Sequence, residues 1–309
     1  MTDLQDIYYD PKNPGSFGGI NRLILKTKKS STEIDKFLKT QPTYTCHKAV
    51  KHKFIRRKII SPDIDYLWQI DLITITKGNK INSGTKYLLT AIDVLSRFAF
   101  VRALKNKKSS TTKEAIKNIF QEGRKPKNIQ SDQGAEFEGA FRQYLEGEGI
   151  LLFHNHSILK AAMVERFNRT LMTRITKYLA YTKSSKFIDK LQDFVDSYNE
   201  SRHRIIKCAP KDVNKFNAMD VWLNCYRKTP EEDRGKKNKK SKLAVGSFVR
   251  VKITKTNFSK GYAQTFSNEL YQIRKIVPSK PITYLLRNSE YHDVEGVFYP
   301  EELSEVRLV

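Results

Sequence analysis

Apolar positions recur at two spacings along this chain, and the change from one to the other marks out its parts. Over the first 60 residues the spacing is helical. Ile20, Leu23 and Ile24 share a face between Gly18 and Lys28, and Ile34, Phe37 and Leu38 follow Ser31, a candidate cap. Two short helices with a tight turn have the outline of a helix-turn-helix, or equally of a minor helical pair packed on something larger. From Tyr66 the pattern becomes strand-like. Leu67–Thr76, Tyr87–Val94 and Phe98–Leu104 predict an antiparallel meander, turned by Gly78–Gly84 and hinged at Ser96 and Arg97. A helix is expected next, capped at Thr111 with Glu114 and ended by Gly123, its stripe being Ala115, Ile116, Ile119 and Phe120. Short strands at Lys127–Ser131 and Ile150–Phe153 bracket a helix carrying Phe137, Phe141, Tyr144 and Leu145. A long helix over about Ala161–Tyr181 follows, with Val164, Asn168, Leu171, Ile175 and Tyr178 on one face; another carries Phe187, Leu191, Phe194, Val195 and Tyr198. Meander, then alternating helices and strands, makes a mixed α/β layer. Beyond it, Ser247–Ile253, Glu269–Val277, Thr283–Arg287 and Val294–Tyr299 are short, evenly spaced strands that suggest a small β-barrel.

Two basic runs punctuate this order. Lys51–Lys58 holds five Lys/Arg in eight residues, and Arg234–Lys242 holds six in nine with no apolar side chain. The division that results is a small helical segment with its basic connector over 1–60, an α/β core with trailing helices over 61–228, a basic linker over 229–242 and a barrel over 243–309. The second run suits a linker, a nuclear-import signal or a phosphate contact.

Charge narrows the partners. The 309 residues carry 57 Lys/Arg against 33 Asp/Glu, a formal net charge of +24, which points to a polyanion. Three scattered cysteines (Cys46, Cys208, Cys225) form no CxxC pair and fit a reducing compartment better than a disulfide framework. Neither a signal peptide nor a membrane span is expected. Nucleic acid is therefore the favoured partner, ahead of an anionic membrane surface.

Three carboxylates stand out by position. Asp71 interrupts an apolar strand between Ile70 and Leu72, where a charge is costly unless compensated. Asp132 ends the short strand before Gln133 and Gly134, and Glu165 opens the long helix. Brought together, such acids repel and will not all ionise without a cation, and oxygen donors alone suit Mg²⁺ or Mn²⁺. Spacing by itself leaves the bland reading open: many such triples exist among 33 acids, Asp132 fits a turn, and Glu165 fits the first turn of a helix.

Five ordered motifs narrow the choice: Trp68-Gln-x-Asp71, Ile92-Asp-Val-Leu-Ser-Arg97, Ser131-Asp-Gln-Gly-x-Glu-Phe137, Val164-Glu-Arg-Phe-Asn-Arg-Thr-Leu171, and Tyr198-Asn-x-x-x-His203 with Pro210 beyond. Together they resemble the core of the retroviral integrase superfamily of DDE recombinases. The run Tyr8–Gly19, the run Thr43–Lys48, Phe258–Tyr262 and Phe298–Leu303 resemble more narrowly the integrases of Polinton (Maverick) transposons and related virophage elements. The resemblance implies an RNase H-like core with Asp71, Asp132 and Glu165 as a metal triad holding Mg²⁺ or Mn²⁺, as two ions. It implies trimming of element ends, then attack of the new 3′-hydroxyl on target DNA. It also implies a homo-oligomer on double-stranded DNA in the nucleus, and an SH3-like or chromodomain-like C-terminal barrel engaging DNA or chromatin. Two departures stand out. Only 32 residues separate Asp132 from Glu165, fewer than is usual in the retroviral family, the shortfall falling in the loop after Phe153. The retroviral His-His-Cys-Cys module is absent; Cys46, His47 and His52 are too clustered to replace it, so no structural zinc is expected.

Lys160, Arg166 and Arg169 flank Glu165, and with Arg56, Arg57 and Lys58 of the connector they are the candidate DNA contacts. Asp93 with Arg97 reads as a local turn pair, Glu136 as an acid supporting the site from behind or a surface acid, and His203 as a structural hydrogen-bonding residue rather than a general base. Two other readings share parts of this pattern: an RNase H-like nuclease, and a non-catalytic DNA- or chromatin-binding protein descended from a transposon.

Overall fold

The computed structural model describes residues 4–50, 54–76, 78–154, 161–227, 243–253, 263–279 and 281–308. They fall into two compact units, one of residues 58–236 and one that combines 1–57 with 237–309. The basic linker over 229–242 lies outside the described residues.

The first unit is built on a five-stranded mixed sheet. Strands β1 (Leu67–Thr74), β2 (Tyr87–Asp93) and β3 (Ala99–Leu104) form the expected antiparallel meander. β4 (Asn128–Ser131) and β5 (Leu151–His154) add in parallel on the other side, giving the order β3-β2-β1-β4-β5. Alternation along β1 serves both faces. Trp68 and Ile70 pack with Leu89, Phe100 and Ile129 beneath α5 (Ser109–Phe120) and α6 (Ala140–Gly147). Leu88, Ile92 and Val101 pack beneath α7 (Ala162–Thr182) and α8 (Leu191–Glu200), against Val164, Phe167, Leu171 and Ile175. A sheet covered on both faces is the α/β layer that the periodicity predicts. α9 (Ala218–Tyr226), which the pattern does not single out, packs Val221 and Cys225 on Leu95 and Ile206.

Some local expectations shift. α5 begins at Ser109, two residues before the capping box expected at Thr111, and Lys108 occupies the cap position without a side-chain bond. Thr112 is instead buried inside the helix, its hydroxyl bonding the Glu136 carbonyl.

In the second unit, α1 (Leu4–Tyr9), α2 (Ile20–Thr27), α3 (Ser31–Thr40) and α4 (Pro42–His47) enclose Leu4, Ile7, Tyr8, Leu23, Ile34 and Leu38. The cap of α3 is Ser30 rather than Ser31: its hydroxyl accepts from Glu33 N, and the Glu33 carboxylate accepts from Ser30 N. Strands β6 (Phe248–Val251), β7 (Tyr271–Val277), β8 (Thr283–Arg287), β9 (Asp293–Phe298) and β10 (Leu303–Val306) make an antiparallel sheet of order β10-β6-β7-β8-β9. Bulges at Ile273/Lys275 and Tyr284/Leu286 bend it. Helices and sheet are one body here, not separate pieces. Thr265 N and Phe266 N donate to Cys46 O, the buried Arg250 donates to Thr45 Oγ1, and Lys39 bridges to Glu305 at 2.9 Å.

Candidate active site

The site begins with strand register. β1 and β4 run parallel with Gln69 opposite Gln130, and their side chains bond each other, Nε2 to Oε1 at 2.8 Å. Both amides therefore point to one face of the sheet, the α7 face, since Trp68, Ile70 and Ile129 occupy the other. Asp71 stands two residues further along β1, so the period of two carries it toward that same face, and Asp132 is the first residue beyond β4, where the chain turns. Gln69 Oε1 then accepts from Met163 N at 2.9 Å and Val164 N at 3.3 Å, fixing the first turn of α7 beside the strands. Glu165 is the next residue on that turn.

Asp71 sits where β1 leaves the core, half-buried rather than enclosed. Its Oδ1 accepts from Leu72 N, and its Oδ2 accepts from Asn168 Nδ2 at 2.9 Å, one turn beyond Glu165. Asp132 and Glu165 are exposed. Topology thus sets the three expected acids on or next to neighbouring elements: Asp71 on β1, Asp132 just past β4 and Glu165 on the first turn of α7. Among the described residues, however, no three His, Cys, Asp or Glu side chains gather closely enough to hold a metal ion. The donor set nevertheless suits a hard divalent cation: all three side chains offer carboxylate oxygen, and beside them Asn168 Oδ1 is buried with no partner.

Behind Asp132 stands a cluster that the sequence reading missed. His154 Nδ1 lies 3.0 Å from Ser131 Oγ and 3.1 Å from the Asp132 carbonyl oxygen. Its Nε2 lies 2.6 Å from Glu138 Oε1, and Arg142 grips the same carboxylate through Nε at 2.6 Å and Nη2 at 3.0 Å. The Arg142 bond, with a lesser contribution from His154, holds the Glu138 carboxyl down to about 2. His154 thereby ties the exit of β4 to the end of β5. Only the contact between β4 and β5 reveals it, and no spacing in the sequence carries that signal.

The remaining predicted residues divide. Arg166 and Arg169 are exposed on the first turns of α7, and Lys58 is exposed. Lys160 and His52 lie outside the described residues. Arg56 and Arg57 are engaged within their own unit. Arg56 stacks on Phe54 and faces the buried Glu302 at 3.6 Å, while Arg57 donates from N to Tyr299 Oη and from Nη2 to Thr283 Oγ1. Cys46 is buried with Sγ toward Ser267 O and Asn268 Oδ1. Asp93 is buried and takes Ser96 and Arg124 as partners, not the Arg97 side chain; burial pushes its carboxyl up. His203 accepts from Ile205 N and is held by backbone bonds on either side.

Residues 64–157, which hold this sheet and two of the three acids, match the integrase core domain family. The transposon-derived protein F54H12.3 of Caenorhabditis elegans is 35% identical over 198 residues, 63% of this chain and 65% of that protein. The retrovirus-related Pol polyprotein from transposon 297 of Drosophila melanogaster is 27% identical over 210 residues, 67% of this chain and 19% of the polyprotein. The chain thus spans less than two thirds of the length of either relative. A chain of the simian T-cell lymphotropic virus intasome, solved with the PP2A regulatory subunit B56 gamma, shares the fold at a TM-score of 0.63 and 15% identity. That likeness covers 94% of this chain and 96% of the other. The domain match covers residues 64–157, and the likeness to the intasome chain is one of fold.

Proposed function

We propose that this chain is a DNA integrase of the DDE type, joining the ends of a mobile element to target DNA. The reading rests on one observation above the others. Gln69 clamps the first turn of α7, on which Glu165 stands, to the two strands in register whose courses lead to Asp71 and Asp132. In this reading those three side chains hold Mg²⁺ or Mn²⁺, as two ions. Bound there, the metal supplies Lewis acidity and charge neutralisation for phosphodiester transfer. The protein does the positioning. Asn168 orients the Asp71 carboxylate, His154 steadies the backbone at Asp132, and Gln69 sets the height of Glu165. Arg166 and Arg169, exposed on the same helix, and Lys160 just before it, meet DNA phosphates. The net charge of +24 draws the duplex in.

The finer parts of the proposal are a Polinton-type element as the source, double-stranded element ends and target DNA as substrates, and a homo-oligomer as the working form. Chromatin engagement through the C-terminal sheet and a nuclear site of action complete it. The motifs near both ends of the chain and the basic balance support these parts.

The test is Glu165→Gln. The amide keeps shape and helix propensity but removes a negative charge and an anionic oxygen. Joining and end trimming in Mg²⁺, with the element's own termini, should fall by at least about a hundredfold. Duplex affinity should stay level, because distributed cations set it. Normal joining by the variant overturns the triad. A nuclease gives cleavage without joined products, and a non-catalytic DNA-binding protein gives neither with the parent chain.

A further inference from the structure

On the α8 side of the core, a cleft of about 300 Å³ opens between α7, the turn after β2 and the segment after α8. Five arginines line it: Arg97, Arg166, Arg174, Arg202 and Arg204. Among the described lining residues none is acidic. The carboxylates of the neighbouring segments are turned elsewhere: Asp93 to Ser96 and Arg124, and Glu200 to Lys211.

Arg97 is the unusual member. It is only 4% exposed, and among the described residues no carboxylate pairs with it. Its Nη1 is buried with no hydrogen-bond partner. Burying a guanidinium without a counter-charge is costly, and crowding four more beside it adds repulsion. An anion in the cleft relieves both. Guanidinium forks match phosphate oxygens in shape as well as charge, and the volume is at the small end for ligand pockets.

We propose that this cleft binds a phosphate-class oxyanion, with the Arg97 guanidinium as its floor and Arg166, Arg202 and Arg204 at its mouth. His203 registers the same field. Burial first, and then Arg97, Arg166 and Arg204, lower its imidazole to about 4, so it stays neutral among the cations. The anion is either a backbone phosphate of DNA or a small soluble phosphate. The assignment is independent of the carboxylate triad: loss of joining leaves anion binding intact, and loss of anion binding leaves the acids in place.

Titration of the full chain with inorganic pyrophosphate, at fixed ionic strength and followed calorimetrically, tests it. One saturable site is expected in the parent chain. Affinity should fall roughly tenfold or more in Arg97→Gln and in Arg204→Gln, and remain unchanged in Lys117→Gln on the opposite face of the sheet. Should Arg97→Gln fail to fold, Arg166→Gln and Arg204→Gln at the exposed mouth carry the comparison. The His203 ring resonances should move as pyrophosphate saturates the parent, and in Arg204→Gln only at correspondingly higher pyrophosphate. A second arm adds a short DNA duplex: displacement of pyrophosphate identifies a backbone phosphate as the natural occupant, and co-binding identifies a small phosphate. Binding that never saturates, or that weakens equally in Lys117→Gln, overturns the proposal.

Discussion

Gln69 spends its whole amide on holding the candidate site together. The nitrogen donates to Gln130 and the oxygen accepts from two N–H groups of α7, all with the residue fully buried. Gln69→Leu keeps the volume but leaves those groups without partners, each costing about 1–3 kcal/mol. A loss of about 2–5 kcal/mol in urea unfolding is expected, while Gln69→Glu, which keeps the acceptor, should lose less. Equal stabilities for the Leu variant and the parent would remove Gln69 as the anchor of α7. His203 gives a prediction of opposite character. Its ordinary pKa near 6.5 falls to about 4 in the folded protein, under Arg97 from the turn after β2, Arg166 from α7 and Arg204 from its own segment. Between those values the unfolded chain takes up a proton that the folded chain refuses. The His203 contribution to stability is therefore complete above about pH 6.5, declines as pH falls through the window, and levels off below about pH 4. Its size is at most about 3 kcal/mol, reduced by partial exposure. His203→Gln should flatten that part of the curve, and an unchanged slope would contradict it.

At the scale of elements, polar side chains close gaps that backbone ladders leave. Asn199 on α8 is the clearest case: Ala99 N donates to its Oδ1 and its Nδ2 donates to Ala99 O, so a side chain pairs the start of the edge strand β3. Asn199→Leu should destabilise the core by about 2–4 kcal/mol, from two unpaired backbone groups, and lower the concentration at which the chain aggregates, because an open edge invites pairing. Unfolding midpoints and light scattering read both effects. The motif Tyr198-Asn-x-x-x-His203 thus names a structural lock as well as one wall of the arginine cleft, a distinction its letters do not carry. Strands β1 to β3 were legible because each is an apolar run between polar turns. Asp71 was legible because it broke such a run. The short helices α1 and α4, α9 and strand β10 were not, since six to nine residues hold too few turns or alternations to outweigh chance, and packing decides them. The cap of α5 misled for a different reason: the helix begins two residues earlier, at Ser109, and the Thr111 hydroxyl bonds Asn106 Oδ1 at 2.7 Å instead of a backbone N–H of the helix. Gln69 and His154 were illegible as site residues because their partners lie on other elements.

For the whole molecule, periodicity suggested a helical head and a terminal barrel as separate pieces, whereas the structure makes them one unit. The physical reason is that neither part is self-sufficient. The helical cluster holds six buried apolar residues and the sheet cluster seven, which is little core for either alone. What joins them is polar and specific. Arg250, 7% exposed, donates to Thr45 and to the Ser267 and Asn268 carbonyls, Arg307 N donates to Lys39 O, and the Cys46 carbonyl accepts from Thr265 and Phe266. Deleting 243–309 therefore does more than remove a C-terminal module. It strips α3 and α4 of the strands they lie against, and uncovers the Cys46 carbonyl. Hydrogen exchange on the truncated chain should show amides of residues 20–47 losing their protection, while those of β1, β2 and α7 keep theirs. The core should still unfold cooperatively, because its three apolar clusters lie wholly within residues 58–236. If residues 20–47 stay protected after the deletion, the helical head folds independently and the three-part division from periodicity is the better description. If β1 and α7 lose protection as well, the core depends on the second unit, and the two-unit description fails.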